Sequence, residues 1–196
     1  ILKPRIHPLT LVVVDGSTVG NNIADVLALS QQYPNDAGAI AIAVVVSAVN
    51  DIINATLSLQ DKGAKTIVIV NTPNVGATPK VRALGDGAVA LATQMSIQFN
   101  DLLAQRIAQV RTEKPSTDFL LFDLFALEAK IKGGTAPGGF KLTNVTDACF
   151  VSLTVVCATP NTYFYWDGFH PTAALGAYLA QRSIDLVLSV TPPHNR

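Results

Sequence analysis

Three short apolar runs, each of strand length, are spaced along the chain with longer helical patterns between them. The runs are residues 9–14 (LTLVVV), 66–70 (TIVIV) and 119–124 (FLLFDL). Continuous apolar runs are typical of strands that are buried on both faces of a parallel sheet. Parallel strands need a crossover between them, and the intervening helices supply it in the usual right-handed sense. The pattern therefore predicts an α/β fold built on a parallel sheet.

Three helical patterns accompany these strands. The first begins near Gly38 and ends at Gly63, a typical stop signal; the second closes at Pro115, and the last covers residues 171–190. The predicted inner positions are Ile42, Val45, Val46, Val49 and Ile53 in the first helix, and Met95, Phe99, Leu103, Ile107 and Val110 in the second. Since no repeat or linker divides the chain, residues 1–190 are predicted to form a single domain, followed by a tail at residues 191–196.

The charges of the chain balance, with 14 Lys and Arg residues against 14 Asp and Glu residues among 196. A chain without net charge offers no field to a polyanion, so we expect no nucleic-acid partner. The longest apolar stretch, residues 37–49, is too short to span a bilayer, which predicts a buried helix and no transmembrane segment. Residues 1–5 (ILKPR) have neither an initiator Met nor the apolar core of a signal peptide. We expect that the chain begins after a removed segment or is one piece of a longer protein.

Two cysteines, Cys149 and Cys157, are eight positions apart in a segment with little helical pattern. They could close a small disulfide loop, which would favour an exported protein, and two buried free thiols are the alternative. Asn54 and Asn144 begin sequons for glycosylation, although Asn54 is predicted to lie inside a helix. With two Cys and no paired His motif, we expect no metal site.

The sequence from Asp167 to His170 places a carboxylate three positions before an imidazole, where the last helix begins. A Ser hydroxyl is a poor nucleophile unless a base takes its proton, and His is best suited to do so near neutral pH. His170 is predicted to be that base, and Asp167 to hold the other ring nitrogen and stabilise the imidazolium. No cofactor is expected. The alternative is that Asp167 only caps the last helix and that His170 is an ordinary loop residue.

The loops that follow the strands are predicted to meet at one place. In parallel sheets the ligand site lies beyond the carboxyl ends of the strands. Residues 15–22, residues 71–79 and the segment before His170 all fall there by this interpretation. A single site at that edge of the sheet is therefore plausible.

Three segments resemble sequence blocks of the SGNH/GDSL hydrolase family. Residues 166–172 (WDGFHPT) look like its Asp-x-x-His-Pro block, and residues 71–79 (NTPNVGATP) are similar to its Asn-Leu-Pro-x-x-Gly-x-Thr-Pro loop. Residues 14–25 (VDGSTVGNNIAD) resemble a stretched version of its Gly-x-Asn-Asp block. The loop from Cys149 to Cys157 suits the secreted and autotransporter branch of that family.

The resemblance implies a three-layer α/β/α fold and a serine esterase or lipase that acts through an acyl-enzyme. Asp167 and His170 would be the acid and base of its triad, and the side chain of Asn21 would help to form the oxyanion hole. The substrate would be an ester of a lipid, of a short acyl group or of an acetylated sugar. The enzyme would be secreted or periplasmic.

The chain departs from the family pattern near its start. Members open with a strand that ends in Gly-Asp-Ser, whose Ser is the nucleophile, and this chain begins after that block; Val19 and Asn22 also replace the Gly and Asp of the oxyanion block. We therefore expect one or more missing N-terminal strands and a preceding fragment of the same protein that carries the Ser. The chain alone would then expose an apolar edge beside residues 9–14.

Three alternatives stay open. The first is a catalytically inactive SGNH-like binding domain or pseudoenzyme. The second makes Ser17, which follows Asp15 and Gly16, the nucleophile of a complete short enzyme. The third is a phosphate-binding loop at residues 15–20, although no Gly-Lys pair follows it.

Overall fold

The computed structural model describes residues 5–7 and 10–190. The strands and α-helices follow one another as β1 Leu11–Asp15, α1 Val19–Gln32, α2 Ala37–Asp61, β2 Thr66–Val70, α3 Pro79–Arg82, α4 Asp86–Glu113, β3 Asp118–Phe122, α5 Leu124–Lys132, β4 Asn144–Ala148, β5 Phe150–Ser152, β6 Val155–Val156, β7 Tyr163–Tyr165 and α6 Ala173–Val190. The described residues group into two compact units. The first unit comprises residues up to 72 and 94–124, and the second comprises 73–93 and 125–190. The single domain over residues 1–190 stays a prediction, and the tail at 191–196 lies outside the described residues.

The first unit contains a three-stranded parallel sheet in the order β1-β2-β3. The central strand β2 is apolar from Ile67 to Val70. Ile67, Val68 and Ile69 are buried because β2 has a neighbouring strand on each side and its side chains are covered on both faces of the sheet. This is the arrangement that a continuous apolar run predicts. The predicted α/β class with a parallel sheet is confirmed, in agreement with the three-layer α/β/α architecture.

Strand β1 differs from its neighbour. Among the described residues it pairs only with β2, and Leu11 and Val13 are 46% and 55% exposed. Within the described residues the run is therefore not buried on both faces, because β1 is an edge strand there and the face that carries Leu11 and Val13 is open. The expectation of an exposed apolar edge beside β1 is confirmed. Leu9, with which the predicted run begins, lies outside the described residues.

The helices of the first unit follow the predicted periodicity in part. All five predicted inner positions of α4 are buried. In α2, Val45, Val49 and Ile53 are buried, whereas Ile42 and Val46 are 57% and 42% exposed, so the predicted stripe was too wide. Helix α2 is therefore apolar on a face that the described residues leave open.

Helix α1 was not predicted, because residues 15–22 have the composition of a loop. A single 3-10 turn covers Gly16–Thr18, and α1 begins at Val19. Gly20 and the two Asn residues after it are poor helix formers. The burial of Ile23, Val26 and Leu27 at helical spacing outweighs that local preference.

Helix α2 has the length and composition of a membrane-crossing helix. Its mean hydropathy is 1.9 over the relevant stretch, of which 33% is buried within the structure. The same helix contacts α1 and β1, and helices that pack on a sheet pass the same test of length and composition. The expected absence of a transmembrane segment stays a prediction.

The second unit carries small sheets and the last helix. β4 and β7 pair in parallel, and β5 and β6 form a short antiparallel hairpin. The polypeptide leaves β7 at Tyr165, makes a tight turn and enters α6 at Ala173. The predicted last helix is thus confirmed, and it begins two residues later than predicted.

Candidate active site

Asp167 and His170 contact each other in the turn between β7 and α6. The ring nitrogen Nδ1 of His170 lies 2.8 Å from Oδ2 and 3.0 Å from Oδ1 of Asp167. The side chain of His170 is 74% exposed, and that of Asp167 is 33% exposed. The structure therefore brings together the two side chains that were predicted to act as a pair, while their catalytic role stays a prediction.

The backbone of the turn fixes Asp167. Its Oδ1 accepts hydrogen bonds from the N–H groups of Phe169 and His170 at 2.8 and 2.7 Å. Helix α6 begins only after this turn, and the N–H of Leu175 bonds to the hydroxyl of Thr172 at 3.4 Å. The alternative in which Asp167 caps the last helix is therefore wrong, because Thr172 occupies that position and Asp167 holds the preceding turn.

The environment of Asp167 keeps its carboxyl ionised. Partial burial raises its pKa, but the backbone N–H groups of His170 and Phe169 and the His170 ring stabilise the anion more strongly, so the pKa lies below its usual value. A carboxylate can only accept a hydrogen bond, so the contact requires a proton on Nδ1. In the neutral ring Nε2 then carries the free lone pair. Within residues 5–7 and 10–190, the structure gives Nε2 no hydrogen-bond partner.

Gly168 connects this turn to the loop that follows β2. The backbone N–H of Lys80 donates to the carbonyl oxygen of Gly168 at 3.1 Å. A Cβ at position 168 would lie 3.1 Å from the side chain of Lys80, and the Lys80 ammonium group lies 5.3 Å from the centre of the Phe169 ring. The Asp167–His170 block therefore contacts the residue that directly follows the second sequence block, inside the second unit.

Steric and capping requirements explain the Gly-x-Thr-Pro sequence of that loop. A Cβ on Gly76 would lie 2.5 Å from the carbonyl oxygen of Val89, so only Gly fits. The hydroxyl of Thr78 accepts the N–H of Val81 at 3.5 Å, and Pro79 occupies the first position of α3, where no N–H is needed. These residues shape the loop and need no catalytic role.

Asn71, the first residue of the same loop, belongs to the first unit and is buried. Its Oδ1 accepts the N–H of Leu124 at 2.7 Å, and its Nδ2 donates to the carboxylate of Asp123 at 2.8 Å. Asn71 therefore joins the carboxyl end of β2 to that of β3.

A buried polar cluster in the second unit was missed by the sequence reasoning. The hydroxyl of Tyr165 lies 2.7 Å from Nζ of Lys132, 3.3 Å from Oε1 of Glu128 and 3.2 Å from the carbonyl oxygen of Ala77. Glu128 is 3% exposed and accepts the N–H of Asn74 at 2.7 Å through its other oxygen. Burial, and then the charge of Glu128, raises the pKa of Tyr165, which stays a neutral donor. Tyr165 ends β7, so the cluster anchors the strand that leads into the Asp167 turn.

Asn21 and Ser17 lie in the first unit. Asn21 is exposed in the first turn of α1 and not in a loop as predicted. Ser17 lies in the 3-10 turn before α1, and its backbone N–H donates to the carboxylate of Asp15 at 2.9 Å. The oxyanion-binding role of Asn21 and the nucleophilic role of Ser17 stay predictions.

Cys149 and Cys157 form a disulfide, as predicted. The free-thiol alternative is therefore wrong. No group of three or more His, Cys, Asp or Glu side chains that could hold a metal occurs in the described part of the chain.

Comparison with known protein families identifies the chain. A family described as GDSL-like Lipase/Acylhydrolase matches residues 20–182. The chain belongs to this family. The GDSL assignment agrees with the α/β fold and with the Asp-x-x-His block, and it makes the chain part of a family of ester hydrolases.

Several plant proteins are similar to this GDSL chain. An anther-specific proline-rich protein, APG, from Arabidopsis thaliana is 24% identical over 157 residues, which is 73% of this chain and 28% of that protein. Acetylajmalan esterase 2 from Rauvolfia serpentina is 27% identical over 166 residues, which is 74% of this chain and 46% of the relative. A GDSL esterase/lipase from Arabidopsis thaliana is 28% identical over 117 residues, which is 59% of this chain and 33% of the relative. The chain thus spans less than half the length of these relatives.

Proposed function

We propose that this chain is the C-terminal part of a serine ester hydrolase in which Asp167 and His170 are the acid and base of a triad. The observation that carries the proposal is the contact of Nδ1 with the Asp167 carboxylate, which leaves Nε2 on an exposed ring as an acceptor that no other described residue pairs with. That is the protonation pattern that a general base for a hydroxyl nucleophile requires.

The reaction would proceed through an acyl-enzyme. Nε2 of His170 takes the proton of the Ser hydroxyl while the Ser oxygen attacks the ester carbonyl. The carbonyl oxygen then becomes an oxyanion. Nε2 then gives the proton to the departing alcohol as the ester C–O bond breaks. Water, deprotonated by the same nitrogen, then attacks the acyl carbonyl. Nε2 gives that proton to the Ser oxygen as the bond between this oxygen and the acyl group breaks, which releases the carboxylic acid and the free Ser. Asp167 stabilises the imidazolium in both halves of the cycle.

The carboxamide of Asn21 is proposed to donate a hydrogen bond to the oxyanion. One such donor typically lowers the barrier by about 2.7–4 kcal/mol. Its exposure in the first turn of α1 leaves the amide available to a ligand. Val19 and Asn22 depart from the usual residues of this block, so the contribution of Asn21 needs its own test, for which Asn21→Ala is suitable.

The nucleophile is proposed to lie in a segment that precedes this chain and carries Gly-Asp-Ser. Two observations support this. The relatives are more than twice as long as the stretch they share with this chain. Among the described residues β1 is an edge strand with Leu11 and Val13 exposed, so a further segment could extend the sheet at its edge and cover that face.

The substrate is proposed to be a carboxylic ester, and the compartment to be extracellular or periplasmic. Acetylajmalan esterase 2 is named for an acetyl ester, which supports a short acyl ester as the first substrate to try. The disulfide between Cys149 and Cys157 is consistent with an oxidising compartment.

Hydrolysis of p-nitrophenyl acetate tests this proposal. We expect activity from a polypeptide that includes the upstream segment, its loss in His170→Ala, and no activity from residues 1–196 alone. His7→Ala, which removes another exposed His, is the matched control and should leave the rate unchanged. Hydrolysis by residues 1–196 that Ser17→Ala abolishes would make Ser17 the nucleophile. A longer polypeptide that contains Gly-Asp-Ser, folds and stays inactive would favour the inactive binding domain.

A further inference from the structure

The hairpin closed by the disulfide, residues 149–157, is called here the disulfide hairpin. It presents apolar side chains to solvent at its tip. Leu153 is 93% exposed, Val151 is 67% exposed, and Val155 and Val156 are 54% and 49% exposed. Scattered apolar residues are common on protein surfaces, but four exposed ones within a single short hairpin concentrate apolar surface that is suited to binding.

The disulfide hairpin and the segment that leads from it through β7 contain no charged residue. From Ala148 to Trp166 the sequence contains no Lys, Arg, Asp or Glu. The polar side chains in this stretch are Ser, Thr, Asn and Tyr, which enter the headgroup region of a bilayer at little cost. A partner that is recognised by salt bridges would find no counter-charge here.

The disulfide hairpin is attached directly to the turn that holds the Asp–His pair. The N–H of Cys149 donates to the carbonyl oxygen of Tyr165 at 3.1 Å, and the N–H of Phe150 donates to that of Trp166 at 2.6 Å. The rings of Phe150 and Trp166 are stacked, with 5.7 Å between centroids. Trp166 is 38% exposed and immediately precedes Asp167. A surface that bound the tip would therefore lie close to the Asp–His pair.

We propose that the disulfide hairpin docks the enzyme on an uncharged lipid surface, and that the substrate is an ester whose long acyl chains are presented at such a surface. The claim about the substrate rests on the proposed function, whereas the claim that the disulfide hairpin binds lipid does not. The disulfide hairpin comprises nine residues, fewer than the roughly 20–30 residues that each partner contributes to a stable protein interface. Trp at the base of an apolar tip is the pattern of membrane-interface anchoring, and the lack of basic residues removes any requirement for anionic lipid.

The chain contains one Trp, so Trp166 reports directly on the base of the disulfide hairpin. With residues 1–196 and vesicles of phosphatidylcholine, we expect co-sedimentation and a blue shift of Trp166 fluorescence. Adding phosphatidylglycerol should change the partition coefficient less than about threefold, since charge contributes little to this contact.

Leu153→Asn tests the tip, and Leu188→Asn is its matched control. Leu188 is 65% exposed on α6, so both changes remove an exposed Leu. We expect Leu153→Asn to lower the partition coefficient about tenfold or more and to suppress the blue shift, whereas Leu188→Asn should leave both unchanged. Equal thermal unfolding midpoints for the unsubstituted chain and the two variants would establish that the loss of vesicle binding is not caused by unfolding.

Four outcomes would overturn the inference: no vesicle binding by the unsubstituted chain, equal loss in both variants, binding only to anionic vesicles, or dimerisation through the tip in its place. Activity separates this failure from that of the proposed function. In the complete enzyme, Leu153→Asn should slow hydrolysis of a micellar long-chain ester about tenfold and leave p-nitrophenyl acetate hydrolysis unchanged. Vesicle binding without any hydrolysis would contradict the proposed function alone, and hydrolysis of the soluble ester without vesicle binding would contradict this inference alone.

Discussion

Asp167→Asn is the most informative substitution at the Asp–His pair, because it changes one atom and leaves the turn in place. The Oδ1 of Asn can accept the same two backbone N–H bonds, from Phe169 and His170, that Oδ1 of Asp167 accepts at 2.8 and 2.7 Å. The amide nitrogen then occupies the place of Oδ2, which lies 2.8 Å from Nδ1 of His170. Nδ1 also lies 3.0 Å from Oδ1, but that oxygen already accepts two backbone N–H groups. The nearer amide nitrogen donates, so we expect Nδ1 to become the acceptor and the ring proton to move to Nε2.

The expected effect on the rate is large and the effect on stability is small. A ring protonated on Nε2 cannot take the proton of a Ser hydroxyl, and the same change in a serine protease lowers kcat about 10⁴-fold, which corresponds to roughly 5.5 kcal/mol of barrier. Asp167 is 33% exposed and keeps both backbone bonds. We therefore expect the free energy of unfolding at pH 7 to fall by less than about 1 kcal/mol.

Two measurements check this reasoning. The kcat of the complete enzyme on p-nitrophenyl acetate measures the loss of activity, and nitrogen NMR of the His170 ring distinguishes the two tautomers even in residues 1–196 alone. Asp185→Asn, which removes a carboxylate paired with Arg182 on α6, is the control and should change neither. The reasoning is refuted if Asp167→Asn keeps kcat within tenfold of the unsubstituted enzyme, or if its ring proton stays on Nδ1.

Three further predictions follow from the turn, the loop and the disulfide. Gly76→Ala should lower the free energy of unfolding by about 1–3 kcal/mol, because its Cβ would lie 2.5 Å from the carbonyl oxygen of Val89; urea unfolding measures this, and an unchanged midpoint would contradict it. The pKa of Asp167 is lower in the folded chain than in the unfolded one, so its contribution to stability is present above about pH 4 and is lost as the pH falls through the folded value. Asp167→Asn should accordingly flatten the dependence of unfolding free energy on pH below about pH 4, and an unaltered slope there would argue against the lowered pKa. Replacing both Cys149 and Cys157 by Ala should cost about 2–3 kcal/mol in thermal unfolding, and stability equal to that of the disulfide-bonded chain would contradict this.

The parts of the fold that the sequence predicts well are those in which the local pattern and the burial agree. The centre of β2, from Ile67 to Ile69, and the inner face of α4 are apolar at each predicted position, and all of these residues are buried in the structure. α1 has a loop-like start, and its helical state depends on packing that only the folded chain supplies. The exposure of β1 depends on which strand lies beside it, and a single run of residues does not carry that information.

The candidate site divides in the same way. Asp167 and His170 are three positions apart in one turn, so their contact follows from local spacing. The hydroxyl of Tyr165 meets Glu128 across 37 positions and Ala77 across 88. Nothing in the sequence around β7 indicates that a Tyr there is paired with a buried carboxylate, because that pairing is created by the packing of α5 against the strand.

The hydrogen bond from the N–H of Lys80 to the carbonyl of Gly168 has a consequence for recombining this chain with its relatives. The crossover point of a chimera is usually chosen between sequence blocks. Here such a point would take Lys80 from one parent and Gly168, its hydrogen-bond partner, from the other. A WDGFHPT block moved into another backbone keeps its Asp–His spacing but meets a backbone N–H and a Cβ that a different parent positions. Any side chain larger than hydrogen at position 168 would press on the β-carbon of Lys80, 3.1 Å away. Functional chimeras should therefore inherit Thr78–Lys80 and the His170 turn from the same parent.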